Sequence, residues 1–336
     1  MNIIIPMAGR GSRLRPHTLT VPKPLIPVGG IPIVHRLVED IAKVCGKNIQ
    51  TIGFVTGDFG KEVEQELCSI AEKFGAKGKI FHQLEPLGTG HAVHCAAELL
   101  EGPVVVAFAD TLFRADFSIS SQDEGILWVK KIPNPEQFGV IKLNSEGSIV
   151  DYVEKPQTFV SDLAMIGIYY VQRGEDLLRE LNYLMDHNVI KSGEYQLPDA
   201  LRRLTEKGVI FKPGEVTEWM DCGNKTVTVE TNARVLDFDA MDQKLLVSNS
   251  AIQTNSVIIP PCFIGENVQI TNAVIGPFVS IGKGTKIENS CISNSLIQQD
   301  CHITHAVLQG SMIGSKALVQ GKALDVSLGD YCEYHG

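Results

Sequence analysis

The feature that most constrains the fold lies in the last third of the chain. Aliphatic residues return there at steps of five or six: Ile252, Ile258, Ile264, Ile270, Ile275, Ile281 and Ile287, then Ile292, Ile297, Ile303, Leu308, Ile313 and Val319. Small, polar or glycine residues separate them. Neither a 3.6-residue helical period nor the alternation of a half-buried strand produces such a spacing. It is the hexapeptide period of a β-helix, in which each triangular coil takes three short turns and stacks its aliphatic residues on those of the coil below. The thirteen positions predict roughly four coils, within about residues 248–322.

The preceding residues follow a different pattern, with apolar strands alternating with amphipathic helices. Asn2 to Pro6, Thr51 to Thr56, Lys79 to Gln83 and Pro103 to Ala109 read as strands. Ile31 to Cys45, Lys61 to Phe74 and Gly88 to Leu100 read as helices, with Ile33, Leu37, Ile41 and Val44 at helical spacing. Such alternation predicts an α/β, doubly wound domain, here about 1–238. Ligands of such sheets sit beyond the carboxyl ends of the strands, where the loop after the first strand and Asp110 both fall.

That first loop, MAGRGSRLRP, carries Gly9 and Gly11 directly after a strand. Without Cβ atoms its backbone N–H groups can approach a phosphate, and Arg13, Arg15 and Lys23 add cations suited to a polyphosphate. A dinucleotide-binding loop would need a third glycine where Leu14 stands. A P-loop would need GK[ST] where this chain has GSR.

Bulk properties narrow the partners. The 336 residues are long enough for two domains, and 44% hydrophobic with 21% charged residues reads as a soluble globular chain. A net charge of -9 argues against nucleic acid or an anionic membrane as partner. MNIIIPMAGR has no basic n-region and its apolar run breaks at Pro6, so a cytoplasmic location is expected. The eight cysteines are scattered without a CxxC pair and read as reduced thiols. His91 with His94, and His302 with His305, lack a carboxylate or thiolate at ligand spacing, which argues against zinc.

GRGSRLRP followed by VPKPLIPVGGIPIV resembles the signature of the sugar-1-phosphate nucleotidyltransferases, which make nucleotide-sugars from a nucleoside triphosphate and a sugar 1-phosphate. Further fragments follow in family order: LGTGHAV at 87–93, FAD at 108–110, FGVI at 138–141, VEKP at 153–156, EYQLPDAL at 194–201 and WMDCGNK at 219–225. The repeat region resembles the left-handed β-helix attached to several such enzymes and to hexapeptide acyltransferases. The resemblance implies a Rossmann-like catalytic domain followed by that β-helix.

In the implied reaction a sugar phosphate oxygen attacks the α-phosphorus in line and expels pyrophosphate. The nucleophile is already an anion, so the need is for Mg²⁺ and fixed cations more than for a general base. The resemblance assigns Mg²⁺ to Asp110 and Asp221, two separated carboxylates. It places Arg13 on the β,γ-phosphates, Lys23 at the reacting centre, and Ala8, Gly9, Gly11 and Ser12 around the nucleotide. Gln83, Gly88 and Thr89 fall at the base, with Gly88 expected to leave room for a flat ring. Gly139, Glu154 and Lys155 are implied for the sugar phosphate.

Some positions depart from the pattern. Thymidylyltransferases usually open with GGxGTRL, whereas GHAV, EYQL and DCGNK resemble bacterial UTP–glucose-1-phosphate uridylyltransferases, so dTTP and UTP both stay open. Several relatives carry Arg just before Gly-Glu, where this chain has Ser192, with Lys191 as a possible substitute. AD replaces GD at the metal-bearing strand end. Glucose 1-phosphate is the expected sugar and a homo-oligomer the expected assembly. Alternatives are guanylyl transfer to mannose 1-phosphate, a non-catalytic regulatory subunit, and a bifunctional enzyme whose β-helix transfers acyl groups.

Overall fold

A computed structural model describes residues 1–9, 11–46, 49–191, 193–322, 327 and 332–333. The chain divides into two compact units, Met1–Ile26 with Pro32–Gly223, and Pro27–Ile31 with Asn224–Gly336.

The first unit is built on a nine-stranded mixed sheet. Its strands are β1 (Asn2–Pro6), β2 (Thr51–Thr56), β3 (Lys77–His82), β4 (Val104–Ala107), β6 (Gly125–Lys131), β7 (Gly139–Leu143), β8 (Ile149–Glu154), β9 (Leu163–Val171) and β10 (Phe211–Glu215), while β5 (Thr111–Arg114) pairs separately with β11 (Glu218–Asp221). The sheet order is β3-β2-β1-β4-β9-β6-β10-β8-β7. The first four strands run parallel, which makes this half the doubly wound, Rossmann-like part. Ile3, Ile4, Ile5 and Val104 to Val106 have no exposed surface, as strands covered on both faces require. The order 3-2-1-4 puts the topological switch between β1 and β4, so a crevice opens past their carboxyl ends.

The helices of this unit are α1 (Ile33–Cys45), α2 (Lys61–Lys73), α3 (Thr89–Cys95), α4 (Gly174–Asp186) and α5 (Leu197–Glu206). The helix expected over Gly88 to Leu100 stops at Cys95 and continues after Ala96 as a tighter turn, Ala97–Leu99. The strand expected over Pro103 to Ala109 is shorter, Val104–Ala107. Beyond it, Phe108 donates its N–H to the carbonyl of Gly167 at 3.0 Å. Gly167 has φ +84 and sits where β9 shifts register between Met165 and Tyr169. That bulge holds the segment leading to Asp110.

The second unit contains α6 (Lys225–Met241), capped by Asn224, and a stack of short parallel strands. Each face repeats after 16 or 17 residues, as the ladder from Asn255 through Asn272 and Asn289 to His305 shows. Among the described residues four coils are complete and a fifth begins at Leu318–Gln320, the arrangement expected of the left-handed β-helix. Ile264, Ile270, Ile275, Ile281, Ile287, Ile292, Ile297 and Ile303 are buried in its interior, and Ile258, Leu308, Ile313 and Val319 pack at its ends.

Ile252 departs from the expected ladder. It pairs with Gln269, an outward position, and is 57% exposed, whereas its neighbour Gln253 lies in register with the buried Ile270. Steps of five or six tolerate a slip of one residue, and one residue is what separates the two faces of a strand.

Among the described residues no helix is long and apolar enough to cross a membrane.

Candidate active site

The crevice at the β1–β4 switch is a cavity of about 400 Å³. After β1, Met7 donates its N–H to Val55 at 2.8 Å, and the chain then leaves the sheet. Gly11 takes the left-handed conformation, φ 57, where a Cβ would lie 3.1 Å from both Lys23 Cβ and Thr18 Cγ2. Thr18 Oγ1 donates to the Gly11 carbonyl at 2.8 Å, and the buried Leu14 anchors the short turn Ser12–Leu14. Ala8, Gly9, Gly11, Ser12 and Arg13 therefore line one wall of the cavity.

Lys23 and Asp110 also line it, although 87 residues separate them. Lys23 is only 9% exposed, and its Nζ donates to Asp110 Oδ2 at 2.9 Å. A buried ammonium needs such a partner. Asp110 in turn accepts the N–H of Cys222 on its backbone carbonyl at 3.0 Å, and β11 pairs Asp221 with Thr111. The carboxyl of Asp221 is thereby brought near Asp110. Burial, and then the negative charge of Asp110, push the Asp221 pKa above the usual carboxylate range, while Lys23, the Gly223 N–H and Arg13 pull it down.

Two neighbouring carboxylates, both hard oxygen donors and one with its proton affinity raised by the other, fit a divalent cation such as Mg²⁺. Among the described residues no three His, Cys, Asp or Glu side chains converge on one point. A cation held here would therefore complete its coordination with substrate oxygens or water.

Gln83, Gly88 and Thr89 form a further part of the cavity wall. Gly88 has φ +111, and a Cβ there would stand 2.5 Å from the Tyr195 carbonyl oxygen. The Tyr195 backbone thus occupies the place of a side chain at Gly88, while Gly88 itself still lines the cavity. The loop is stitched by Tyr195 N–H to Leu87 and by Gly90 N–H to Tyr195, each at 2.8 Å. Thr89 Oγ1 accepts from Leu197 N–H at 3.0 Å and donates to Gln196 Oε1 at 3.3 Å, so it ties α3 to α5. Replacing Gly88 by alanine should cost ~2–3 kcal/mol, because the backbone strain and the clash both act against the native loop. A denaturant melt of Gly88→Ala superimposable on the wild-type curve would contradict this.

The residues implied for the sugar phosphate form a second group, outside the lining of this cavity. Gly139 pairs with Glu154 across β7 and β8, and a Cβ on Gly139 would lie 2.7 Å from Glu154 Oε2. Lys155 donates its N–H to Phe138 at 3.1 Å, and its exposed Nζ is 4.0 Å from Glu154 Oε1. Phe138 packs edge-on against Trp219, 4.9 Å between ring centres, and Trp219 is two residues before Asp221 on β11. One strand thus connects the two groups.

Lys191 is held elsewhere. Its Nζ lies 2.5 Å from Asp199 Oδ1, which also receives Arg202 Nη1 at 2.6 Å. Lys191, expected at the sugar phosphate, is thus paired with Asp199 and lies outside the lining of the cavity. Ser192 lies outside the described residues.

The cavity also has lining residues that the sequence alone did not single out, among them Phe108, Glu194 and Gly223. Each lies inside a motif read for another residue: Asp110 in FAD, the EYQL run, and Asp221 in WMDCGNK. Position within a recognised motif was the available signal.

A bifunctional protein GlmU from Methanococcus maripaludis strain C5 is 31% identical over 265 residues, which is 77% of this chain and 60% of that protein. A glucose-1-phosphate thymidylyltransferase from Streptomyces griseus is 27% identical over 302 residues, 81% of this chain and 79% of that one. The chain therefore spans three fifths of the length of the methanococcal relative. In fold it is similar to a crystal structure of UDP-glucose pyrophosphorylase complexed with UDP-glucose, with a TM-score of 0.58 and 24% identity over 70% of this chain and 98% of that one. The family model described as nucleotidyl transferase matches residues 2–237, and this chain belongs to that family.

Proposed function

We propose that this chain couples a nucleoside triphosphate, UTP or dTTP, to a sugar 1-phosphate, with glucose 1-phosphate preferred, and releases pyrophosphate. The observation that carries the reading is the convergence of Arg13, Lys23 and Asp110 on one cavity at the β1–β4 switch, with Asp221 coupled electrostatically to Asp110. The reaction places several phosphate charges in one spot, and the site supplies two cations beside a pair of carboxylates suited to a divalent metal.

In this reading the loop amides of Ala8 to Ser12 approach the triphosphate, and Arg13 grips the β,γ-phosphates and then the leaving pyrophosphate. Lys23, held by Asp110, is aimed at the reacting centre. Glu154 and the Gly139 backbone receive the sugar, and Lys155 its phosphate, while Gln83 and Gly88 meet the base. Thr89 braces that wall, and Lys191 assists only after leaving Asp199. Asp110 and Asp221 would hold Mg²⁺, which when bound neutralises charge on the phosphate oxygens. No side chain need remove a proton, because the attacking oxygen is already ionised.

Pyrophosphate release across UTP, dTTP, GTP and CTP, each with glucose 1-phosphate and mannose 1-phosphate, tests the reading. Turnover of a pyrimidine nucleotide with glucose 1-phosphate supports it. GTP with mannose 1-phosphate as the preferred pair would reassign the substrates, and silence in every combination would remove the catalytic role.

We assign residues 1–238 to catalysis and 248–322 to assembly of a homo-oligomer, in a cytoplasmic protein without nucleic-acid or membrane partners. Support for assembly comes from one sheet of the β-helix, where Val257, Val274, Cys291 and Val307 stack on the outer side and stay exposed, Val307 by 85%. Such a flat apolar column favours a partner surface. Removing residues 246–336 should lower the mass seen by light scattering more than it alters pyrophosphate release. A truncated chain that keeps the wild-type oligomeric state would contradict this.

A further inference from the structure

Gln83 follows β3 directly, and its backbone N–H donates to Thr56 at 2.9 Å. Its side-chain Nε2 lies 3.0 Å from the Gly88 carbonyl oxygen and 3.1 Å from His91 Nδ1. A carbonyl oxygen can only accept, so the contact with Gly88 decides which end of the amide faces inward: the NH₂ end. His91 Nδ1 must then accept the second N–H. The imidazole is consequently the tautomer with its proton on Nε2, and that nitrogen faces Cys95 Sγ at 4.0 Å, one turn along α3.

The surroundings favour the neutral ring that this requires. Burial first, and then the neighbouring His94, hold the His91 pKa below its ordinary value, with Glu85 acting in the opposite direction. With both amide protons engaged, the polar atom that Gln83 has left for the cavity it lines is Oε1, an acceptor. Uracil and thymine present a ring N3–H to such an atom. Cytosine in the same pose presents a lone pair, which is repelled.

We propose that His91 is a positioning residue for nucleobase selection: by accepting from Gln83 it locks the amide with its carbonyl toward the base, and so favours uracil or thymine over cytosine. This rests on the reading that the cavity binds a nucleoside triphosphate. His91 touches neither substrate in this account and acts through Gln83. Without it, one amide proton loses its partner and the side chain is free to turn its NH₂ end to the base.

Two variants separate this role from simple damage to α3. His91→Leu removes the acceptor, whereas His91→Asn offers Oδ1 near the place of Nδ1. Titration calorimetry with UTP and with CTP reads the outcome without turnover. His91→Leu should weaken UTP about tenfold and CTP little, and His91→Asn should restore most of the difference, since one neutral hydrogen bond is at stake. In steady-state assays the UTP KM of His91→Leu should rise by a similar factor while the glucose 1-phosphate KM stays. Equal weakening of UTP and CTP, an unchanged UTP-to-CTP ratio, or failure of asparagine to restore it would overturn the proposal. A wild-type chain that shows this binding pattern yet releases no pyrophosphate would remove the catalytic reading and leave the positioning role standing. A chain that binds neither nucleotide would remove both.

Discussion

Asp110→Asn should lower kcat by a factor on the order of a hundred to a thousand, with little change in melting temperature. The substitution keeps the shape of the side chain and an oxygen that can accept from Lys23 Nζ. It removes the charge that makes Asp110 and Asp221 a pair. In the reading proposed here that pair holds a divalent cation, so EDTA should silence the wild-type enzyme and added Mg²⁺ should restore it. Because the Asp110 side chain is 42% open and asparagine still offers the buried Lys23 ammonium an acceptor, the melt should move little. Steady-state kinetics together with a thermal melt of the variant check both halves. Full activity in Asp110→Asn would end its assignment to the metal, and a collapsed melt would show the residue to be structural first.

The second large effect concerns two lysines that the structure treats differently. Lys23 is nearly buried and paired with Asp110 at 2.9 Å, beside the loop assigned to the triphosphate. Lys155 is exposed, in a left-handed conformation at φ 43, beside Glu154 in the group assigned to the sugar phosphate. Lys23→Ala should lower kcat roughly ten- to hundredfold, because it meets charge that develops as pyrophosphate leaves and a charge-assisted contact is worth about 1.5–3 kcal/mol. Lys155→Ala should chiefly raise the KM for glucose 1-phosphate, because that phosphate is bound in ground and transition states alike. Varying each substrate in turn for both variants tests the division. A Lys155→Ala enzyme weakened only toward the nucleotide, or a Lys23→Ala enzyme with kcat intact, would show that the roles are misplaced.

The parts of this molecule that the sequence by itself determined are those written in short-range patterns. Ile3 to Ile5 followed by two glycines reads as a strand opening onto a loop because strand, turn and ligand approach are all decided within about a dozen residues. The β-helix is equally legible, since each coil repeats its neighbour and the aliphatic period spans thirteen positions, all but Ile252 on the ladder. Pairing across long stretches of chain was legible only through motif resemblance. The repeat's exact register was not written there either: Ile252 and Gln253 compete for one position, and the hydrogen-bonded ladder to Gln269 and Ile270 chose the glutamine for the inward side.

Tertiary structure alone decided whom each polar group faces. Nothing about Lys191 in the sequence announces that Asp199, in the first turn of α5, captures its ammonium, and nothing near Gly88 announces that the Tyr195 carbonyl occupies the place of its missing side chain. Lys23 could have been a solvated cation; the turn between β4 and β5, 87 residues later, supplies its carboxylate. The same holds for Gln83, an amide that can donate or accept with equal ease until the Gly88 carbonyl and the His91 ring nitrogen take its protons. Hydrophobic periodicity is a property of neighbours along the chain, so the sequence carries it openly. The direction of a hydrogen bond or the partner of a buried charge depends on atoms that only folding brings within 3 Å.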